Sequence, residues 1–479
     1  MGGGLANAAL LIGMLACRSL SAQTTSSSPD RPWHSRAEKD LARDLTSNRQ
    51  PAYDVDSQKV YTLPELIDLA ELHNPETRVA WEAARERAAE VGIARSAFFP
   101  TLTAVALTST IRDAALIGEF FHRQTLGVFE PTLHVEYLIF DFCGRSGAVD
   151  VAKANLISAN LQFNDTHRLV IFQVSAAYFQ LINAKGQYDA AGISLKNAQM
   201  VEDDARSRLK NGLGTLPDLL EASAAREQAD YDLQAALGAE QIAQGRLATA
   251  MGLPAETAFR IQDVHDLPIP ADVPDSLADE IDRAFRQRPE LLKQIARIRA
   301  AEGSIKEARS AYVPTIGLIG DGGLARAYGQ QDLYPGHYAQ GEVWSVGLQM
   351  KWTLFDGARR EKALAGANAE KRAAEAELNS LRDQIDQEVF TSYTNMQTAL
   401  RQQKSAAALL AASDQSYEAA RQSYNFGIRS QLDVISAQKT LAQARSEDVA
   451  ARAQLLFQVA DLAFRTADLI QAQPSRTGP

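Results

Sequence analysis

Ala94-Arg-Ser-Ala-Phe-Phe-Pro100-Thr101 is answered 214 positions later by Ala308-Arg-Ser-Ala-Tyr-Val-Pro314-Thr315, a match too specific for shared composition to produce. At the same offset, Tyr61-Thr-Leu-Pro-Glu-Leu-Ile-Asp-Leu-Ala-Glu-Leu-His-Asn-Pro75-Glu76 aligns with the stretch from Asp275 to Pro289-Glu290. Leu138-Ile-Phe140-Asp141 then matches Thr353-Leu-Phe355-Asp356, and Gly212 to Asp218 matches Gly427 to Asp433, both at an offset of 215. One residue was therefore gained or lost in between. The chain is internally duplicated, with a first repeat over 61–260 and a second over 261–470.

Inside each repeat the periodicity changes twice. From Glu76 to Ala97 and from Glu290 to Ala311 the pattern is helical and alanine-rich, and it stops at a proline that cannot continue a helix. Strict alternation follows. Trp344, Val346, Leu348, Met350, Trp352 and Leu354 take turns with Ser345, Gly347, Gln349, Lys351 and Thr353, which gives a strand one oily face and one wet face. Leu133, Val135, Tyr137 and Ile139 alternate with polar residues in the same way. These patterns predict strand pairs over 101–111 with 131–140 and over 315–324 with 343–354, joined by loops at Arg112 to Glu130 and Arg326 to Glu342. Next come two proline-free runs, Arg145 to Asn211 and Arg359 to Phe426. In them, apolar residues step by three and four, as in Leu378, Leu381, Ile385, Val389, Met396 and Leu400. At about 1.5 Å per residue each makes a helix on the order of 100 Å long. Turns at Asn211 to Pro217 and Phe426 to Ser430 send a second helix back, with Gly212 and Gly427 placed as C-caps and Thr215 and Ser430 as N-caps.

Composition narrows the function. Of 479 residues only 7% are aromatic, and the net charge of -10 is spread as mixed signs, so no basic stripe waits for phosphates and nucleic acid is excluded as a partner. Two cysteines, Cys17 and Cys143, are too few for a thiolate metal site, and the seven histidines show no HExxH or paired His/carboxylate spacing. Gly317, Gly320, Gly322 and Gly323 precede no Lys-Ser/Thr and suit bends in a strand better than a phosphate loop. Cys143, in an apparent Phe142-Cys143 insertion, reads as a small packing residue. No nucleophile–base or paired-acid constellation stands out, so neither enzymatic activity nor a cofactor is expected.

The fold class that results is mainly α with a small β part: long helical hairpins joined to four strands per chain. Four strands cannot close around a lumen, and an open edge in lipid would leave backbone groups unsatisfied, so several chains must contribute. The alternation assigns Trp344, Val346, Leu348 and Trp352 to a lipid face and Gln349 and Lys351 to a watery interior. The alternative is a soluble sandwich with one buried face, although no other sheet is in view to cover it.

The paired Arg-Ser-Ala-aromatic-x-Pro-Thr segments, the pairs Phe140-Asp141 and Phe355-Asp356, and the two G-x5-D tips together make the chain resemble the TolC-type family of outer-membrane efflux channels, from Tyr61 to about Leu469. The resemblance implies a homotrimer with a shared 12-stranded transmembrane β-barrel and an α-helical tunnel across the periplasm. It also implies outer-membrane lipid around the barrel, a periplasmic adaptor and an inner-membrane transporter as partners, and passive conduction of small molecules. In that family the hairpin tips form the closable periplasmic aperture. Asp433 matches the aperture aspartate, and Tyr424 and Arg429 match the residues that latch the closed state; Asp218 and Glu221 are the carboxylates of the first copy. Leu209 replaces the tyrosine in that copy, and Ser436 stands where some members carry a second acid. On the residues alone, Asp218 and Asp433 are equally well read as first-turn helix carboxylates. An exit duct for polypeptides shares all these features, whereas a periplasmic adaptor predicts one hairpin without duplication and a coiled-coil scaffold predicts no lipid-facing strands. Six unclustered methionines weigh against a copper- or silver-specific route.

At the N-terminus, Leu5 to Ala16 is apolar but too short to span a bilayer, and reads as an export signal within residues 1–22. Leu15-Ala16-Cys17 resembles a lipobox with Cys17 as the acylated first residue; cleavage near Ala22 is the other reading. Residues 23–60 form a Ser-, Pro- and charge-rich lead-in, and 471–479 a disordered tail. Intact-mass measurement of the mature protein decides between the two signals: a diacylated or triacylated Cys17 terminus that disappears in Cys17→Ser supports lipidation, and an unmodified terminus near residue 23 rejects it.

Overall fold

The computed structural model describes residues 38, 41–43, 55–117, 119–270, 272, 276–331 and 334–468. The signal segment with Cys17, most of the lead-in and the tail from 471 lie outside the described residues. The chain divides into a unit Met1–Val55, in which residues 38 and 41–43 are helical, and a unit Asp56–Pro479 that contains all the elements below.

The duplication is visible element by element. A short strand β1 (Val60–Tyr61) leads into α1 (Leu63–His73) and α2 (Pro75–Ser96), then strands β2 (Thr101–Ile117) and β3 (Phe120–Phe140), then α3 (Gly144–Lys210) and α4 (Leu216–Ala250). The second copy repeats this with β4 (Arg260–Ile261), a 3-10 turn at Val264–Asp266, α5 (Leu277–Gln287), α6 (Pro289–Ser310), β5 (Thr315–Gln331), β6 (Tyr334–Lys351), α7 (Arg359–Asn425) and α8 (Gln431–Arg465). Equivalent helices have equal lengths: 11 residues for α1 and α5, 22 for α2 and α6, 67 for α3 and α7, 35 for α4 and α8. No helix among the described residues is long and apolar enough to cross a membrane.

The helices share their core along α3, which packs on α2, α4, α6 and α8, while α7 packs on α5, α6 and α8. Small residues allow this closeness. A Cβ on Gly147 of α3 would meet Glu307 N at 2.8 Å and Gly303 O at 2.9 Å, and one on Gly303 would meet Gly147 O and Val151 N at 3.0 Å. Helix α6 therefore crosses α3 backbone against backbone. Lower down, Arg168 of α3 is 1% exposed and donates to Glu290 Oε1 of α6 at 2.5 Å and Asp165 Oδ1 at 3.0 Å, with its guanidinium over the Phe464 ring of α8. Arg288, also buried, donates to the carbonyl of Arg465 at 2.7 Å and to Glu388 of α7 at 2.9 Å. In the first copy the equivalent Asn74 donates from its amide to the carbonyl of Ala250 at 3.0 Å. Each copy thus anchors the start of its 22-residue helix to the last turn of its own hairpin.

The four long strands form one antiparallel sheet in the order β2-β3-β5-β6. The hairpin loops expected at Arg112 to Glu130 and Arg326 to Glu342 are instead almost wholly strand, with β2 pairing β3 from Thr101↔Glu136 to Ile117↔Phe120 and β5 pairing β6 out to Gln331↔Tyr334. The alternation cue stops where neither face is apolar, but backbone pairing needs no apolar face and continues. In the other direction β6 ends at Lys351, so Trp352 and Leu354 lie beyond the strand.

One junction serves both copies. Asp141 Oδ2 accepts from the backbone N of Arg145 at 2.5 Å, and the Arg145 guanidinium donates back to the carbonyls of Leu138 at 2.5 Å, Ile139 at 3.1 Å and Ala97 at 3.1 Å, while stacking on Phe98. Arg360 repeats these bonds with Asp356, Leu354 and Ala311 and stacks on Tyr312. The chain turns between strand and helix through two left-handed residues, Phe142 and Cys143 in one copy and Gly357 and Ala358 in the other. Cys143 is therefore no insertion and no packing residue: it is the exposed equivalent of Ala358, with φ of 77°.

The close crossing predicts that Gly147→Ala or Gly303→Ala destabilises the protein by about 1–3 kcal/mol, because neither backbone can withdraw without unpacking α6 from α3. Thermal unfolding followed by circular dichroism measures this, with Gly366→Ala, on an open face, as the near-neutral control.

Candidate functional site

Two regions hold the residues to which sequence reasoning gave a function: the hairpin tips and the sheet.

At each tip the long helix stops because a glycine takes a left-handed conformation. Gly212 has φ of 70° and Gly427 of 74°. Leu213 N then donates to Arg208 O at 2.8 Å and Ile428 N to Ser423 O at 2.9 Å, which satisfies the last turn in both copies. The return helix starts with a reciprocal cap. Asp218 Oδ2 accepts from Thr215 N at 3.0 Å and Thr215 Oγ1 at 2.6 Å, and Asp433 Oδ2 accepts from Ser430 N at 3.0 Å and Ser430 Oγ at 2.8 Å. The hydroxyl hydrogen bonds, seconded by the backbone ones, hold both carboxyls below the ordinary aspartate range. Asp433 is exposed, Asp218 half-exposed, and Glu221, one turn further on, exposed.

The tips of the two hairpins are tied within one chain through Tyr424 by two residues that sequence reasoning did not single out, Arg208 and Gln431. Arg208, at the end of α3, lies over the Tyr424 ring at 4.1 Å and donates to Asn425 Oδ1 at 3.2 Å. Tyr424 donates from its hydroxyl to Gln431 Oε1 at 2.9 Å, and buried Gln431 donates to the carbonyl of Asp218 at 3.1 Å. A chain of contacts therefore runs from α3 through α7 and α8 to α4. Burial pushes the Tyr424 hydroxyl up from its usual pKa, and its ring caps a cluster of Val201, Ala205, Ala222, Tyr417 and Val434. Arg429 is exposed and has no ion-pair partner in its own chain among the described residues. The missed pair was detectable: Arg208 stands where the second copy has Ser423, and Gln431 where the first has Leu216, so differences between the copies carry information as well as matches.

In the sheet, none of the described side chains of the four strands is buried. The strands pack on one another, and no helix makes substantial contact across either face. Trp344, Val346 and Leu348 stand on one face, Trp344 at 79% exposed, opposite Gly322, Gly320 and Leu318 of β5. Gln349 and Lys351 lie on the other face, opposite Gly317 and Thr315. Trp352, past the strand end, donates from its indole nitrogen to the Tyr312 carbonyl at 3.2 Å, leaving its ring largely exposed. On the wet face His134 and Ser345 both bond Asp321, at 2.7 Å and 3.1 Å. Among the described residues no group of three or more His, Cys, Asp or Glu side chains could hold a metal ion.

The sequence model of the family described as outer membrane efflux protein matches residues 66–253 and 281–466. Protein CyaE of Bordetella pertussis is 28% identical over 355 residues, covering 70% of this chain and 69% of that protein. The toluene efflux pump outer membrane protein TtgC of Pseudomonas putida is 24% identical, covering 79% and 77%. A membrane protein from Pseudomonas aeruginosa shares the fold with a TM-score of 0.74 at 21% identity, covering 93% of this chain and 99% of that one.

The tip caps set a pH dependence. A carboxyl whose folded pKa lies below its unfolded value stabilises the fold fully above the unfolded value, about 3.9 for aspartate, and loses that contribution as pH falls through the lower folded value. Amide-exchange protection at Ser430 to Val434 and at Thr215 to Leu219 is thus expected to stay constant from pH 8 to pH 5 and to fall below about pH 4. Protection in Asp433→Asn that still tracks the wild-type acid profile would show that the cap is not its source.

Proposed function

The chain belongs to the outer membrane efflux protein family, and on that premise we propose that it is the outer-membrane channel of a tripartite efflux system, conducting small molecules passively from the periplasm to the exterior. The observation that carries this reading is the sheet. It has two long unpaired edges, β2 with 17 residues and β6 with 18, and a face of tryptophan and aliphatic side chains left uncovered. Pairing β6 of one copy with β2 of the next satisfies both edges, and three copies give a closed barrel of about twelve strands, wide enough for an aqueous lumen. Trp344, Val346 and Leu348 then face lipid, with Trp352 near the membrane boundary, and Gln349 and Lys351 face water. The helices below continue the lumen as a tunnel on the order of 100 Å long through the periplasm.

At the periplasmic end six hairpin tips converge, two from each of three copies. Three Asp433 carboxylates around a narrow opening favour cations, with Asp218 and Glu221 behind them. The cap formed with Ser430 fixes each Asp433 carboxylate near the helix start, so structural and aperture roles coexist in one residue. Arg429, exposed and without a close ion pair in its own chain among the described residues, is available to a neighbouring copy, while Arg208 and Tyr424 hold the two hairpins of one chain together. A periplasmic adaptor and an energised inner-membrane transporter complete the route, as the efflux pump in the name of TtgC supports.

Planar-bilayer recordings of the purified protein test this. Trimers in detergent with steady cation-selective conductance are expected, and neither trimers nor conductance would sink the duct. Asp433→Ala is expected to lower cation selectivity and relieve block by divalent cations; unchanged values would remove Asp433 from the constriction.

A further inference from the structure

On the face of the sheet that carries Gln349 and Lys351, one row of directly paired positions runs across all four strands: Thr103 of β2, His134 of β3, Asp321 of β5 and Ser345 of β6. Nδ1 of His134 lies 2.7 Å from Asp321 Oδ1, and Ser345 Oγ donates to Asp321 Oδ2 at 3.1 Å. Asp321 sits in the middle, with one oxygen bonded to each neighbouring strand. The serine hydroxyl meets the carboxylate and not the imidazole, so the three do not form a nucleophile–base pair. What they form is a charge pinned to the wall of the sheet, still open to solvent, with the His134 and Asp321 side chains 39% and 45% exposed.

We propose that the His134–Asp321 pair sets the ion selectivity of the barrel lumen and makes it adjustable by pH. This rests on the reading of the chain as a trimeric duct, in which the row repeats three times at one height of the lumen. Its charges belong on the water side, because an ion pair facing hydrocarbon would cost several kcal/mol. With imidazole neutral, each pair carries one negative charge; with imidazolium it carries none, and histidine is the side chain whose charge ordinarily changes between about pH 5 and 8. The surroundings do not cancel this swing. On the same face β2 presents Thr101, Thr103 and Val105 near the row, none of them titratable, and Asp113 further out. Strand β3 adds Glu136 and, further out, Glu130; β5 adds no other charge nearby, and β6 adds Lys351. Asp218 and Asp433 at the tips are held below the aspartate range and give a constant background in the same window. His337 shares this face eight positions further along β6, and His122 lies toward that same end of β3.

Reversal potentials in a KCl gradient, recorded at pH 8 and pH 5, test the assignment. The wild-type ratio of K+ to Cl- permeability is expected to fall roughly twofold on acidification, the modest effect of a few wall charges in a pore wider than the Debye length of about 8 Å. His134→Gln, which can still donate to Asp321, should keep the high ratio at both pH values, and Asp321→Asn should already show the low ratio at pH 8 and should not rise above it at pH 5. A wild-type pH response retained in His134→Gln overturns the proposal, as does a pH 8 ratio unchanged in Asp321→Asn should the first variant not assemble. A wild-type protein that conducts at neither pH overturns the duct reading and this assignment with it, whereas conductance without pH dependence overturns only the assignment.

Discussion

Every backbone amide and carbonyl needs a partner, and the sheet cannot supply one for its outer edges. Strands β2 and β6, 17 and 18 residues long, each have one side unpaired, and none of the described elements folds over to cover them. In water such edges invite aggregation; in lipid they are prohibitive. Both faces of the sheet are open as well, one of them oily, so a soluble sandwich fails for want of a second layer. A closed multimeric barrel in a membrane would satisfy the edges, bury the oily face and keep the wet face wet, and the trimeric duct proposed above meets that requirement.

The junction between barrel strands and conduit helices explains why the matching peptides of the two copies match. Arg145 and Arg360 each collect the carbonyls that a strand leaves unpaired as it ends, and each is held by the aspartate of a Phe-Asp pair and by the aromatic ring of an Arg-Ser-Ala-aromatic segment. An arginine suits this place because its planar fork serves two or three acceptors at once while its face stacks on a ring. The segments that reveal the duplication are thus the two halves of a hinge-free joint, repeated once per copy. They persist through the divergence of the copies because the geometry of the turn demands them.

Much of this was legible in the sequence because long elements have strong periods. The helices α3 and α7 fall within a residue of the boundaries drawn from proline-free heptad-like runs, and the tips carry the glycines and hydroxyl caps that such turns require. The outer parts of the strands were not legible: Arg326 to Gln331 and Arg112 to Ile117 show no strict polar–apolar alternation, and pairing between backbones leaves no mark in side-chain pattern. The latch of Arg208 with Tyr424 and the His134–Asp321 pair share another obscurity. Each brings together residues far apart in the chain, 216 positions for Arg208 and Tyr424 and 187 for His134 and Asp321, and no local spacing announces a contact made by packing or by strand register.

The tips show where duplication stops being useful. Elsewhere the copies keep equal helix lengths and equivalent joints, which would give a conduit of near sixfold regularity in the proposed trimer. At the tips they part: Leu209 faces Tyr424 across the repeat, Gly214 faces Arg429, Arg208 faces Ser423 and Leu216 faces Gln431. The differences are complementary, since the arginine of the first copy takes the aromatic ring of the second, and the glutamine of the second takes a carbonyl of the first. Two identical hairpins could not make these contacts. Arg429, exposed near Asp433 at the second tip, takes no part in that tie, so in the trimer proposed above it is the basic group of each tip left available to a neighbouring copy.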